Sequence, residues 1–334
     1  IMNSKDIVNS DGIRPLIQLL RKGSDGAKRH ASLALAQLSR VDNETQEAIT
    51  RSGAISAFVE WLADPSLAPP ELAARALADI AHDNKDAQSN IMEEGSVPWL
   101  VGMLAPERRV EEQKYAAGAL AALAQRSHLN QLTIFEEGGI APLVALIVSG
   151  HAAPHVNATQ ALWHLSANGD TRLAIAREGG LVPLIKLLVD GSEVVQESAS
   201  AAMESLTHDC PENQVTKAAV DAIQPLVNLL ASDYEETQNH AVRALLNISS
   251  PNLENRNAVV RPLVALLQVR NATAQMKAAQ ALVLLASRSG ANRVAIAEAG
   301  AIPPLVQLLG DGRNATTPQV RAAAVLCDLA RSGE

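Results

Sequence analysis

Two short stretches bring chemically capable side chains together. In "THDCPE" (Thr207–Glu212), His208 stands two residues from Cys210, the residue types of a base and a thiol nucleophile. Covalent catalysis needs the base within reach of the nucleophile and a third group to orient it. Neighbours two apart on an ending helix do not converge on a substrate. No orienting or oxyanion group accompanies them, so the stretch reads as a turn. In "HAAPH", His151 and His155 would need two further ligands from elsewhere to hold a metal. "GSDG" and "GDG" are turns, since no strand precedes them as a phosphate loop requires. Cys327 in "VLCDLA" reads as a packed helix residue. The sequence therefore assigns no catalytic residue, no metal and no cofactor, and the chemistry left to look for is recognition.

Recognition depends on what positions the side chains, and here that is a repeat. "GAIPPLVQLL" (Gly300–Leu309) has counterparts in "GAISAFVEWL" from Gly53, "GSVPWLVGML" from Gly95, "GGIAPLVALI" from Gly138 and "GGLVPLIKLL" from Gly179. "GIRPLIQLL" opens at Gly12, and weaker copies are "AIQPLVNLL" at Ala222 and "VVRPLVALL" at Val259. The residues opening each core are Leu16, Phe58, Leu100, Leu143, Leu184, Leu226, Leu263 and Leu305, at spacings of 42, 42, 43, 41, 42, 37 and 42. A period this constant marks a solenoid of stacked units.

The punctuation predicts three helices per unit. A short first helix ends at Gly, which takes a left-handed cap without steric cost. Pro15, Pro98, Pro142, Pro183, Pro225, Pro262 and Pro304 then fall in the first turn of a second helix, where the missing N–H costs nothing. A third helix carries an Ala/Leu stripe, as in "ALAQLS", "ALADIA", "ALWHLS" and "ALLNIS". At "NRNAVVRPLVALL" (Asn255–Leu267) the spacing shrinks to 37 and the turn is missing, so the first helix is truncated or fused to the second. Longer turns at "ADPSLAPPE", "VSGHAAPHVN" and "GDGRNATTPQ" read as solvated ridge loops.

Composition narrows the function classes. The 334 residues carry 28 Lys/Arg against 36 Asp/Glu, a net of −8, which argues against a general nucleic-acid or anionic-membrane binder. Seven aromatic residues and abundant Ala, Leu and Val suit close helix packing. Two distant cysteines make no disulfide framework. The start "IMNSKDIVNSDG" has no leader pattern, and no apolar stretch reaches the roughly 18 residues of a membrane span. The N-x-[ST] triplets at Asn43, Asn157, Asn247, Asn271 and Asn314 read as chance. The expected setting is intracellular, the cytoplasm first and the nucleus second.

The period, the three-helix unit and stretches such as "NRVAIAEAGAIPPLVQLL" (292–309) and "EVVQESASAAMESL" (193–206) resemble the armadillo repeat over essentially the whole chain. The resemblance implies an all-α fold, a right-handed superhelical armadillo solenoid with three helices per repeat. It would form a single domain over 1–334, with repeats near 1–41, 42–83, 84–126, 127–168, 169–209, 210–250, a short 251–288, and 289–334. It implies a non-catalytic scaffold or adaptor that binds an extended peptide in a concave groove lined by the third helices. The alternative it implies is the targeting or regulatory module of a larger enzyme, such as a ubiquitin ligase or a kinesin.

Helical geometry locates the face in question. With the residue before each "AL" as zero, positions −3, 0, +4 and +7 share a stripe opposite the Ala/Leu stripe. The first four units contribute His30, Leu33, Gln37, Arg40; Leu72, Arg75, Asp79, His82; Tyr115, Gly118, Ala122, Gln125; and Asn157, Gln160, His164, Ala167. The last four contribute Ser198, Ala201, Ser205, His208; His240, Arg243, Asn247, Ser250; Lys277, Gln280, Leu284, Ser287; and Arg321, Ala324, Asp328, Arg331. The stripe holds five of the eight histidines, and six Arg/Lys against two Asp. That net of +4 within −8 leaves −12 elsewhere and predicts a peptide ligand of neutral to acidic character, with no nucleic acid and no membrane insertion. Small residues such as Gly118, Ala122, Ala201 and Ser205 would let a ligand backbone approach, with Asn, Gln and Arg bonding to it. Importin-α places Trp at zero and Asn at +4 in successive units. Here only Asn247 matches, so the chain is not a typical importin-α. Acidification should charge His82, His164, His208 and His240 and strengthen binding of an acidic peptide. The ending "CDLARSGE" lacks a polar cap, which predicts end-to-end self-association.

Overall fold

Each unit begins where a short helix must stop. Gly53, Gly95, Gly138, Gly179 and Gly300 all take positive φ, between 73° and 82°, as the left-handed cap requires. In the first repeat Asp11 takes this role at φ 55°, and Gly12 stays right-handed at φ −68°. A computed structural model describes residues 2–149, 151–310 and 317–331. Gly150 of "VSGHAAPHVN", residues 311–316 of "GDGRNATTPQ", the triplet at Asn314, the side chain of Asn43 and the last three residues of "CDLARSGE" lie outside the described residues. The described residues are helical throughout, with no strand.

Contacts divide the chain into two compact units, Ile1–Gly180 and Leu181–Glu334. In unit 1 the repeats run α1 (Met2–Asn9), α2 (Ile13–Lys22), α3 (Asp25–Leu38); α4 (Asn43–Arg51), α5 (Ala54–Ala63), α6 (Pro70–Ala81); α7 (Lys85–Glu93), α8 (Val97–Gly102), α9 (Val110–Ala124); and α10 (His128–Glu136), α11 (Ile140–Val148), α12 (Ala152–Leu165), closed by α13 (Gly169–Arg177). Unit 2 starts with α14 (Leu181–Asp190) and α15 (Glu193–Thr207). It continues with α16 (Pro211–Gln214), α17 (Lys217–Asp221), α18 (Ile223–Leu229) and α19 (Glu235–Ile248), then α20 (Leu253–Leu266) and α21 (Ala272–Arg288). It closes with α22 (Gly290–Glu298), α23 (Ile302–Leu309) and α24 (Thr317–Ala330). Within unit 1 the third helices α3, α6, α9 and α12 pack in series, and within unit 2 so do α15, α19, α21 and α24.

The two weakest copies deviate in opposite ways. In the sixth repeat the junction Gly is Ala222, and Thr216 caps Ala219 N–H at 3.0 Å, starting a new helix inside what would be the first one. In the seventh the turn is absent and the first and second helices fuse into α20, which places Pro262 in a helix interior rather than a first turn. Of the two forms the spacing allowed, fusion is the one adopted.

The residues opening each core pack as the period demands. Phe58, Leu100, Leu143, Leu184, Leu226, Leu263 and Leu305 are completely buried, and Leu16 in the first repeat is half-buried. Each such side chain contributes about 1.5–3 kcal/mol on burial. A second, polar device ties repeats together. The last carbonyls of a helix lack helical partners. Here Asn or Gln side chains of the next first helix, seven residues on, supply them. Gln88 donates to Ala81 O, Asn130 to Leu123 O, Asn213 to Leu206 O, Asn255 to Ile248 O and Asn292 to Leu285 O, at 2.7–3.2 Å.

Candidate functional site

In unit 1 the stripe positions of α6, α9 and α12 converge on a pocket of about 400 Å³. Arg40, Arg75, Asp79, His82, Tyr115, Asn157, Gln160 and His164 all line it, whereas His30 and Gln37 are exposed on α3 outside it. Arg40 reaches Asp79 at 3.8 Å. Burial pushes the Asp79 carboxyl above its ordinary range, against the pull of Arg40, Arg75 and His82. Arg75 makes no salt bridge among the described residues; its guanidinium lies 5.7 Å from the centroid of the Tyr115 ring. The Lys114 ammonium sits 4.9 Å from the same centroid. A ring that attracts cations through its quadrupole thus holds two of them. Gln160 and the Tyr115 hydroxyl also face the pocket without a hydrogen-bond partner among the described residues.

Some groove residues are committed to the scaffold. Asn157 donates its amide to Lys114 O at 2.7 Å. A Cβ on Gly118 would meet Asn157 Nδ2 at 2.9 Å, so Gly118 is there to admit Asn157 rather than a ligand backbone. His164 stacks on Trp163, with centroids 4.7 Å apart. Burial, then the charge of Arg126, pushes His164 down to about 4, with Asp83 pulling the other way. It therefore stays neutral at pH 5.5, contrary to the expectation that mild acid charges it.

In unit 2 the corresponding face satisfies itself. Glu204, which no stripe position covers, accepts from His240 Nδ1 at 2.6 Å and from Arg243 Nε at 2.7 Å. Burial opposes its ionised form, yet those hydrogen bonds and charges hold its carboxyl below the usual range. Asn247 donates to Glu204 O at 3.2 Å. Lys277 is 4% exposed and donates to Asn239 Oδ1 at 2.9 Å, so it is not a groove cation: packing of α21 on α19 encloses its stem. Gln280 and Ser205 are half-buried, Arg321 is exposed, and Asp328 pairs with Arg331 at 3.5 Å. His208, exposed, lies 3.4 Å from Asp209. Of the stripe residues His208, Arg243, Asn247 and Ser250 line a pocket of about 520 Å³ whose charged lining is Glu204, Asp209, Arg243 and Arg288, two of each sign. The charged lining of the unit 1 pocket is Arg40 and Arg75 against Asp79, a net of +1. Of the stripe's six cations only Arg40, Arg75 and Arg243 line these pockets, offset by Asp79 in the first and by Glu204 and Asp209 in the second.

Trp163, Glu204, Asp209 and Arg288 are among the groove residues that the stripe missed. Trp163 and Glu204 both occupy position +3, between 0 and +4 on the helix, where unit 1 otherwise has Ala78 and Ala121. Among the described residues no cluster of His, Cys, Asp and Glu could hold a metal ion. Cys210 is buried, its thiol 3.8 Å from the Glu212 carboxylate, whereas Cys327, expected to be packed, is exposed on α24. No single described helix is long and apolar enough to cross a membrane.

The armadillo/β-catenin-like repeat profile matches residues 212–250, the sixth repeat. Over 314 residues, 91% of this chain, the sequence is 26% identical to a catenin beta of Urechis caupo, and it spans 38% of that protein's length. The crystal structure of an engineered protein aligns with a TM-score of 0.79 at 33% identity, covering 98% of this chain and 80% of the other. The chain belongs to the armadillo-repeat family. A designed armadillo repeat protein solved in complex with the peptide (KR)4 is 27% identical, with a TM-score of 0.56 over 70% of this chain and 100% of its own. Within this armadillo chain the two units differ in one respect that bears on function: in unit 1 the groove cation Arg75 makes no salt bridge among the described residues, and in unit 2 Arg243 is bonded to Glu204.

Proposed function

We propose that this armadillo protein is a non-catalytic adaptor that binds an extended peptide of neutral to acidic character along the third helices of unit 1. The observation that carries the reading is Arg75. It lines an open pocket, rests on Tyr115 beside Lys114, and makes no salt bridge among the described residues, although its charge reaches the Asp79 carboxyl. Lys114 already has the Glu111 carboxylate at 3.8 Å, so Arg75 is the cation to which a ligand carboxylate would add a charge-assisted hydrogen bond. The unpaired amide of Gln160 offers hydrogen bonds to an extended backbone, and Trp163 offers a flat apolar wall. A designed relative holds the peptide (KR)4, which is basic. The guanidinium groups here favour the opposite charge. Proteome-derived peptide display against the wild type and Arg75→Glu tests the reading. Enrichment of an acidic or polar linear motif that the variant loses supports it. An identical set from both proteins, or a basic motif, overturns it.

A further inference from the structure

Repeats cover one another on two sides, and burial tells the sides apart. Second helices pack in series, α2 on α5 and α5 on α8 in unit 1, α14 on α18 and α18 on α20 in unit 2. Three residues before the core opener stand Ile13, Ile55 and Val97 in unit 1 and Leu181, Ile223 and Val260 in unit 2, all buried. The eighth repeat has Ile302 there, 45% exposed. One residue after the opener, Ile17, Val59, Val227 and Val264 are buried, whereas Val306 is 53% exposed. On the third helices Ser200, Val242 and Ala279 are buried, and their counterpart Ala323 on α24 is exposed. Ile302, Val306 and Ala323 thus mark a closing face, the side that a following repeat covers elsewhere. The first repeat shows the complementary pattern. Four residues before the left-handed cap, Ile49, Ile91, Ile134 and Ile296 are completely buried, and Ile7 is 43% exposed. Three residues after the opener, Trp61, Met103, Leu146 and Leu229 are buried, and Leu19 is 42% exposed. Ile7 and Leu19 mark an opening face. Each of these two repeats lacks cover on one side alone, since Ile13 and Ile17 are buried in the first and Ile296 in the eighth.

From this we infer that the chain self-associates head to tail, the closing face of the eighth repeat in one copy docking on the opening face of the first repeat in another. The occupant follows from continuity with the packing inside each unit. There a closing face is covered by an opening face of the same residue kinds, and a second copy offers one. Taking aliphatic side chains such as Ile302, Val306, Ile7 and Leu19 out of water drives the contact. Two opening faces make a poorer pair. Residues 1–41 carry seven Lys/Arg against three Asp, so like charge would meet like. A closing face on an opening face leaves one of each free, so the contact is heterologous and does not stop at a dimer.

The test is sedimentation velocity on the full chain between about 1 μM and about 500 μM, the range of weak association. The average mass should rise with concentration past that of a dimer. Leu19→Glu and Ile302→Glu should each stay monomeric, with unchanged circular dichroism because both residues are exposed. An equimolar mixture of the two variants should form a dimer and nothing larger, since one intact opening face and one intact closing face remain. Ile7→Glu with Val306→Glu repeats the test as an independent pair. Arg75→Glu should associate as wild type does, which separates this contact from the groove. A wild type that stays monomeric over the whole range, or a mixture of variants that stays monomeric, overturns the inference. So does a Leu19→Glu chain that still dimerises, which would assign the contact to two closing faces.

Discussion

Unit 1 and unit 2 are built from the same repeat, yet their third-helix faces are chemically opposite. In unit 1 position +3 is Ala78, Ala121 or Trp163, and Arg75 is left facing solvent over Tyr115. On α15 of unit 2 the same position holds Glu204, which gathers His240 and Arg243 into one hydrogen-bonded cluster, while α19, α21 and α24 have Leu246, Val283 and Cys327 there. One side chain, Glu204, therefore decides whether the neighbouring groove cation Arg243 is offered to a ligand or held in a hydrogen bond. A charge count along a stripe misses this, because the partner sits one residue off it.

The largest expected effect separates the units by pH. Burial and Arg126 lower His164 from 6.5 to about 4. The unfolded chain then takes up this proton first, so the contribution to unit 1 stability is full above about pH 6.5 and is lost as pH falls towards 4. A shift of that size corresponds to about 3 kcal/mol at most. Asp79, raised by burial, gives a weaker slope of the opposite sign at the acid end. The Glu204 carboxyl is held below 4.5, so its contribution persists through this window and disappears only below it. All three tryptophans lie in unit 1, so tryptophan fluorescence in urea follows that unit. The urea midpoint should drop between pH 6.5 and 5, and His164→Phe should flatten the drop. An equal drop in the variant would remove His164 as its source.

Glu204→Ala sharpens the comparison from the other side. It strips two charge-assisted hydrogen bonds, one from the half-buried His240 and one from the exposed Arg243, and should destabilise unit 2 by about 2 kcal/mol. It also frees Arg243, so the variant should gain affinity for acidic peptides in unit 2. Hydrogen exchange in α15 and α19 reads the first effect and peptide titration the second. A smaller effect is expected of Gly118→Ala. The added methyl displaces Asn157 from Lys114 O, at a cost of about 1 kcal/mol. Asn157→Ala made alone and in the double variant should show that the two losses are not additive.

The architecture was legible because its signals are local. Gly53, Gly95, Gly138, Gly179 and Gly300 mark left-handed caps, and the missing turn before Pro262 announced the irregular repeat. The polar staples were not legible. Gln88 and Asn130 reach carbonyls seven residues back, across a turn and onto a different helix, where periodicity read within one helix does not carry over. Of the groove, the face was legible and the pairing was not. Lys277 looks like its neighbours on the stripe until α19 is packed against it, and Asn157 reads as a ligand donor until Gly118 brings it within reach of Lys114 O.

The most direct measurement is calorimetric titration of one displayed acidic peptide into wild type, Arg75→Glu and Arg243→Glu. The account predicts a loss of at least about tenfold in affinity, or about 1.4 kcal/mol, for Arg75→Glu, with Arg243→Glu within about twofold of wild type. Equal losses in both variants, or a larger loss in Arg243→Glu, would contradict the claim that the open groove is in unit 1.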